Sequence, residues 1–133
     1  MVNNKICVIA LSIFSISTTG NCKPKSFSVK SVMVEETGIY QEQIPSYLSK
    51  EACSRFKPTN KMVFNWIKKA KEVKQSSFME TSTITQCSAK GHLVTSDGKE
   101  YAWELDPGGG AIIDTAPSSP TEAVYLIGPM IPY

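Results

Sequence analysis

The feature that most constrains this chain is an apolar run near its N-terminus. Lys5 precedes the run, residues 6–16 are almost entirely apolar, and residues 17–20 are small and polar. This three-part pattern is typical of a secretory signal peptide. The run is too short for a membrane-spanning helix, which needs about 20 apolar residues. We therefore expect residues 1–20 to be removed and the mature protein to be exported, to the periplasm or the extracellular space.

Export also decides how the four cysteines can be used. Cys7 leaves with the predicted signal peptide. Cys53 and Cys87 each lie beside a well-defined predicted element, and we predict a disulfide between them. The remaining Cys22 is then either a free thiol or a site of lipidation, and we expect membrane attachment only if it is lipidated. A metal site is not expected, because His92 is the single histidine and no C-x-x-C motif is present.

After the signal peptide, the sequence pattern predicts one α+β domain preceded by an extension. Residues 21–52 form the N-terminal extension, with a strand over 27–34 that the polar residues 35–38 end. Residues 53–133 form the single α+β domain. In this domain we expect one main amphipathic helix to pack on a three- to four-stranded antiparallel meander, stabilised by one disulfide.

The clearest predicted element is a helix over residues 59–74. Thr59 suits the N-cap position, where its hydroxyl satisfies a backbone N–H group. Apolar residues then recur at helical spacing and predict one buried stripe. The members of the stripe that we expect in the core are Val63, Trp66, Ile67 and Ala70.

The rest of the chain has the alternation of β-strands, predicted over 84–94, 99–105, 111–114 and 123–127. Asp97 and Gly98 stand between the first two strands, and this dipeptide is typical of hairpin turns. Tyr101 and Trp103 lie on one face of the second strand. We expect both aromatic side chains in the core, against the helix.

Charge is distributed unevenly along the chain. Residues 50–74 carry eight lysines and arginines against two glutamates, a balance of +6, whereas residues 75–133 carry two lysines against seven acidic residues, a balance of −5. Such a separation steers and orients the encounter with a charged partner. We expect the partner to be a protein with an acidic surface. A lysine-rich solvated helix face is the alternative, and an anionic lipid or a cell-wall polymer is a further one. Nucleic acid is not expected, because the predicted compartment does not suit it and no aromatic–basic stacking platform is present. The candidate basic binding face comprises Lys57, Lys61, Lys68, Lys69, Lys71 and Lys74.

Four short motifs follow one another within residues 53–127. They are Cys53-x-x-Phe56-x-Pro58-Thr59 at the helix start, Cys87-x-Ala89-x-Gly91 in a strand, the Asp97-Gly98 hairpin and Trp103. This order resembles a group of small exported bacterial proteins. The resemblance implies the structural roles of cap, bridge, hairpin and core residue. It assigns no activity and carries over no functional residue.

The residues favour binding over catalysis. His92 shares its predicted strand face with Lys90 and Val94, which is typical of a surface position, so we expect no catalytic residue and no cofactor. The function expected is that of a small exported, non-enzymatic protein-binding domain, such as an inhibitor or a toxin-immunity factor. The alternative is an envelope-associated structural protein or a lipoprotein anchored through Cys22. A small hydrolase-like enzyme is the third hypothesis.

Overall fold

The computed structural model describes residues 25–42, 49–115 and 123–133. The predicted signal peptide and Cys22 lie outside the described residues. In chain order the elements are β1 (Val29–Tyr40), α1 (Lys50–Cys53), α2 (Asn60–Lys69), β2 (Lys71–Val73), α3 (Gln75–Thr81), β3 (Cys87–Thr95), β4 (Glu100–Asp106), β5 (Gly110–Asp114) and β6 (Ala123–Ile127).

The strands form one six-stranded sheet in the order β1-β3-β4-β5-β6-β2, and every neighbouring pair is antiparallel. The predicted α+β class, with one main helix on a three- to four-stranded meander, is therefore wrong. The described residues are 43% strand and only 22% helix. The meander itself is present as β3 to β6, but β1 and β2 are added at its two edges. Both pair with strands that are distant in sequence, which a local pattern does not reveal.

The predicted helix over 59–74 is shorter in the structure. Thr59 caps α2, since its Oγ1 accepts a hydrogen bond of 3.2 Å from the backbone N–H of Met62. The helix ends at Ala70, whose backbone is already extended. Lys71–Val73 then pairs with β6, so the last predicted turn is an edge strand. Pairing with β6 overrides the helical spacing of the apolar residues.

Strand β1 runs further than the sequence predicts. It continues past Val34 to Tyr40, although polar residues were expected to end it. An extra residue, Glu35, stands between two successive pairs with β3. Such a bulge lets a strand continue by shifting its register. A second irregularity includes Gly38, whose φ of +62° is readily adopted by glycine and whose N–H donates to the carbonyl of Phe56 at 2.9 Å.

The core lies between α2 and one face of the sheet. Of the predicted core residues, Val63, Trp66, Ile67, Ala70 and Trp103 are buried there. Tyr101 is half-buried at the margin, where its ring meets Phe27 edge-on at 6.1 Å. The sheet residues packed beneath α2 are Ala89, Leu93, Trp103, Leu105, Ala111, Ile113 and Leu126.

Close backbone approach requires a glycine in the middle of β3. A Cβ atom on Gly91 would lie 2.0 Å from the carbonyl oxygen of Met33 and 2.9 Å from the ring of Trp103. Real Cβ atoms do not come this close to backbone, so any larger residue would push β1 away from β3. The ring of Trp103 is also fixed by its Nε1, which donates to the carbonyl of His92 at 2.8 Å.

Helix α3 lies on the opposite face of the sheet from α2. Its Phe78 ring lies 5.1 Å from that of Tyr125 on β6, and a Cβ on Gly110 would meet Phe78 at 3.0 Å. This helix covers only the β5 and β6 end, and the same face of β1, β3 and β4 carries exposed side chains. Among the described residues, no helix is both long and apolar enough to span a membrane.

The predicted disulfide between Cys53 and Cys87 is confirmed. It joins the end of α1 to the start of β3, with the two Cα atoms 5.0 Å apart and both side chains buried. Tyr133 packs beside it, with its hydroxyl 3.8 Å from the Cys87 Sγ and its ring 5.7 Å from that of Phe56. The disulfide thus connects the loop before α2 to the centre of the sheet.

Candidate binding surfaces

All six lysines of the predicted basic face are exposed, but the structure divides them between two sides of the molecule. Lys61 and Lys68 lie two helical turns apart on the outer side of α2, with Lys69 beside them. Lys57 lies in the loop just before that helix. These four exposed lysines lie on α2 or in the loop just before it.

The other two lysines lie elsewhere because the chain leaves the helix after Lys69. In β2, Glu72 pairs with Leu126, which is buried in the core, so Glu72 shares that face. Successive strand residues point to opposite faces, and Lys71 therefore points away from α2. Lys74 directly precedes α3, which lies on that opposite face. The single six-lysine face expected from the sequence is corrected to a four-lysine one.

We call the remaining cluster the basic helix surface; it comprises Lys57, Lys61, Lys68 and Lys69 with the neighbouring Met62 and Phe64. Its lysines are not neutralised internally, because the ion pairs of the described residues join other side chains. The Nζ of Lys68 lies 5.4 Å from the centroid of the Phe64 ring, within range of a cation–π contact. Met62 is 47% exposed. The surface therefore combines unpaired positive charge with accessible apolar groups.

The segment before β1 packs against the C-terminal end of α2. Lys25 Nζ donates to the carbonyl of Lys68 at 3.1 Å, and the backbone N–H and hydroxyl of Ser26 donate to the Glu72 carboxylate at 2.7 and 2.5 Å. Burial lowers the pKa of Lys25, while the nearby charge of Glu72 opposes that shift. These contacts fix the edge of the basic helix surface. The sequence contains no local pattern that would have predicted them.

A second surface lies on the uncovered part of the opposite sheet face. The bulge in β1 places Glu35 and Glu36 on the same side, where Glu35 Oε1 lies 2.5 Å from His92 Nδ1 and Glu36 Oε1 lies 3.4 Å from Lys90 Nζ. Glu104 pairs across the strands with Lys90 and accepts a 3.1 Å hydrogen bond from the Gln41 amide. We call this the open sheet face; it comprises Met33, Glu35, Glu36, Lys90, His92, Glu100, Glu104 and Ile112.

The open sheet face is acidic overall. Its four glutamates outnumber the single Lys90, and His92 carries charge only when it is protonated. Two apolar side chains are also accessible there, since Met33 is 58% and Ile112 is 39% exposed. The sequence pattern does not predict this surface, because it indicates that the strand ends at Glu35, whereas Glu35 is part of a bulge. The adjacent Glu35 and Glu36, followed by Gly38, are the sequence feature that could have indicated the bulge.

The surroundings of His92 bear on the enzyme hypothesis. Its imidazole contacts the carboxylate of Glu35, which could orient a catalytic base. Nucleophilic catalysis also needs a hydroxyl or thiol beside that base. In the described ranges, no serine, threonine or cysteine side chain is hydrogen-bonded to the imidazole. The enzyme hypothesis stays a prediction without a supporting geometry.

Asp106 is a half-buried carboxylate at the end of β4. It accepts backbone hydrogen bonds from Thr85 at 2.9 Å and Gly108 at 2.7 Å. Burial raises its pKa, and the two N–H donors oppose the shift. Through these two hydrogen bonds, Asp106 connects the loop before β3 to the turn between β4 and β5. Its role is therefore structural. An open cavity of about 460 Å³ lies beside this turn, lined by Thr85, Pro107, Gly108, Met130, Ile131, Pro132 and Tyr133.

Comparisons with known proteins leave the function to be argued from the molecule itself. No family model matches the chain, and no curated protein or solved structure is significantly similar to it. The resemblance to small exported bacterial proteins therefore stays a prediction. Within residues 25–42, 49–115 and 123–133, no three potential ligands among histidine, cysteine, aspartate and glutamate cluster around a metal position.

Proposed function

We propose that the mature chain is a small exported, non-enzymatic protein-binding domain whose basic helix surface binds a protein with an acidic surface. The observation that carries this proposal is the set of four exposed lysines on and before α2, none of them in an ion pair with another described residue. Unpaired like charges on one surface repel one another, and an acidic partner would relieve that repulsion.

Support for a binding role also comes from the scaffold beneath the surface. The buried side of α2 packs on the sheet through Val63, Trp66 and Ile67, and the Cys53–Cys87 disulfide holds the preceding loop. A rigid surface loses little conformational entropy when it binds. This combination suits an inhibitor or an immunity factor that neutralises a delivered toxin, since neither needs a catalytic group.

Charge reversal on the helix tests the proposal. The variant Lys61→Glu/Lys68→Glu changes two lysines of the basic helix surface, and Lys71→Glu/Lys74→Glu makes the same charge change elsewhere. Each protein is immobilised and exposed to an envelope extract of the source organism. We expect wild type and the Lys71/Lys74 variant to capture the same partner at low salt. The Lys61/Lys68 variant should lose at least about tenfold of the bound amount, equivalent to about 1.4 kcal/mol.

Salt dependence provides the second measurement. Exposed charges are screened beyond about 8 Å at physiological ionic strength and beyond about 3 Å at 1 M salt. Capture should therefore fall steeply as salt is raised. Equal capture by both double variants, or capture that ignores salt, would reject the basic helix surface as the binding site.

Export and anchoring need a separate measurement. The intact mass of the purified native protein should correspond to a chain that begins after residue 20 and carries no lipid on Cys22. A diacylglyceryl addition on Cys22 would instead support the envelope lipoprotein. Retention of residues 1–20 would remove the exported protein altogether.

A further inference from the structure

We infer that the acidic surface bound by the basic helix surface is the open sheet face of a second copy of this chain, so that copies associate head to tail. This inference rests on the proposed function, because it uses the same lysines, and it adds the identity of the partner.

The basic helix surface and the open sheet face of one chain are complementary in charge. The fold places four lysines of the basic block on the α2 side of the sheet and the acidic cluster on the other side, where Lys71 and Lys74 lie apart from it at the β2 end. The basic helix surface contributes four lysines and the open sheet face four glutamates. Among the described residues, Glu100 and Glu104 form no salt bridge. Each copy therefore presents both halves of a complementary pair on opposite sides.

The two faces of the sheet are covered to different extents. Helix α2 covers one face, whereas α3 covers only the β5 and β6 end of the other. A sheet face accepts a layer of helix, as α2 already shows on the core side. The outer side of α2 from a neighbouring copy would supply such a layer over β1, β3 and β4.

Apolar groups stand at matching places on the two surfaces. Met62 and Phe64 are accessible on the basic helix surface, and Met33 and Ile112 are accessible on the open sheet face. On the open sheet face, Met33 on β1 and Ile112 on β5 lie on either side of the charged residues of β3 and β4. On α2, Met62 and Phe64 lie on opposite flanks of Lys61 and Lys68. Both surfaces therefore have a charged centre with apolar groups at its sides.

The symmetry of the contact follows from its two different surfaces. A two-fold dimer would place the same patch on both partners, whereas this contact is heterologous. Each added copy leaves one free surface of each kind, so association continues into a ring or a short filament. The mass should therefore rise with concentration instead of stopping at a dimer.

Sedimentation velocity of the mature protein tests this inference. We expect the weight-average mass to rise at least about twofold between about 10 μM and about 1 mM at low salt, which is the range of weak association. High salt should return the protein to monomer, because the charges of the contact are screened. A protein that stays monomeric at the highest concentration and low salt overturns the inference. The proposed function would then still be tested separately, by whether the immobilised protein captures an acidic partner from the extract through the same lysines.

Two charge-reversal variants locate the contact. Lys61→Glu/Lys68→Glu should be monomeric, and so should Glu35→Lys/Glu104→Lys on the open sheet face. An equimolar mixture of the two should associate again, because each variant then carries the charge that complements the other. Lys71→Glu/Lys74→Glu is the matched control and should associate as wild type does.

Other outcomes contradict the inference directly. If Glu35→Lys/Glu104→Lys associates like wild type, the open sheet face is not the partner. If the mixture stays monomeric while both variants are folded by circular dichroism, the two surfaces do not meet. If either variant fails to fold, the amide NMR shifts of wild type, measured on dilution, locate the contact instead. The inference requires these shifts to change both in α2 and in β1, β3 and β4.

Discussion

Trp66 connects three parts of the molecule through one side chain. Its ring is buried in the core, and its Nε1 donates to the carbonyl of Pro129 at 2.8 Å. A Cβ on Gly128 would lie 2.9 Å from the same ring, so the chain after β6 passes directly over it. Helix α2 is thereby attached both to the sheet and to the segment that follows β6.

Replacing Trp66 with alanine should therefore be severe. We expect Trp66→Ala to lower the free energy of unfolding by about 3–5 kcal/mol, because it leaves a cavity and an unsatisfied carbonyl. Urea denaturation followed by circular dichroism measures this. Met62→Ala, on the exposed side of the same helix, should stay within about 0.5 kcal/mol of wild type. Similar losses in the two variants would contradict the burial of Trp66.

Asp106 and Asp97 are carboxylates whose pKa values move in opposite directions. Burial raises the pKa of Asp106 above its ordinary value of 3.8. Asp97 is exposed, and the hydroxyl of Thr95, which donates to its carboxylate, lowers its pKa below 3.8. A raised carboxyl pKa means that the folded state binds the proton more tightly than the unfolded state, and a lowered one means the reverse.

The two residues should consequently give opposite pH dependences of stability. Relative to Asp106→Asn, wild-type stability should fall as pH rises from 3.8 through the raised pKa. Relative to Asp97→Asn, wild-type stability should fall as pH drops below 3.8 through the lowered pKa. Thermal or urea unfolding of the three proteins across the acidic range measures both trends. The same sign in both comparisons would contradict the assigned environments.

At the scale of elements, the disulfide connects α1 to β3 across a sequence separation of 34 residues. The intervening chain, residues 54–86, contains α2, β2 and α3, so all three lie within the closed loop. The bond therefore restricts the unfolded chain over the segment that forms the two longer helices. Its contribution should be mainly entropic in the chain-entropy model.

Removing the Cys53–Cys87 disulfide tests how much it contributes to stability. The variant Cys53→Ala/Cys87→Ala should lose about 3–4 kcal/mol of unfolding free energy relative to oxidised wild type. Wild type unfolded in the presence of a reductant should approach the stability of the variant. A variant as stable as the oxidised protein would show that the bond forms without contributing to stability.

At the scale of the whole molecule, the sheet order sets where stability resides. Strands β3, β4 and β5 are paired on both sides, and they carry most of the buried sheet residues. Strand β2 has only three residues and pairs with β6 alone. Protection against local opening should follow this difference.

Native-state hydrogen exchange measures that gradient. Amides of β3 and β4 should exchange slowest, near the rate of global unfolding, and those of β2 and α1 should exchange fastest among the paired groups. The basic helix surface should be intermediate, because α2 is packed on the core. Equal protection of β2 and β4 would contradict the pairing order.

Local chemistry explains which parts were predictable from sequence. The Thr59 cap, the buried stripe of α2 and the turn at Gly98 each depend on residues within a few positions of one another. The last strand was predicted over the same residues that form β6. These elements satisfy their hydrogen bonds with near neighbours, so their residue types are sufficient to indicate them.

Sequence by itself determined the buried faces, the turns and the pairing of Cys53 with Cys87. Tertiary structure alone decided that β1 continues beyond Glu35, that Lys71 belongs to a strand, and that the lysines divide between two sides of a sheet. In each of these cases the backbone partner lies far along the chain. A distant strand edge, once available, offers hydrogen bonds and burial that outweigh local propensity.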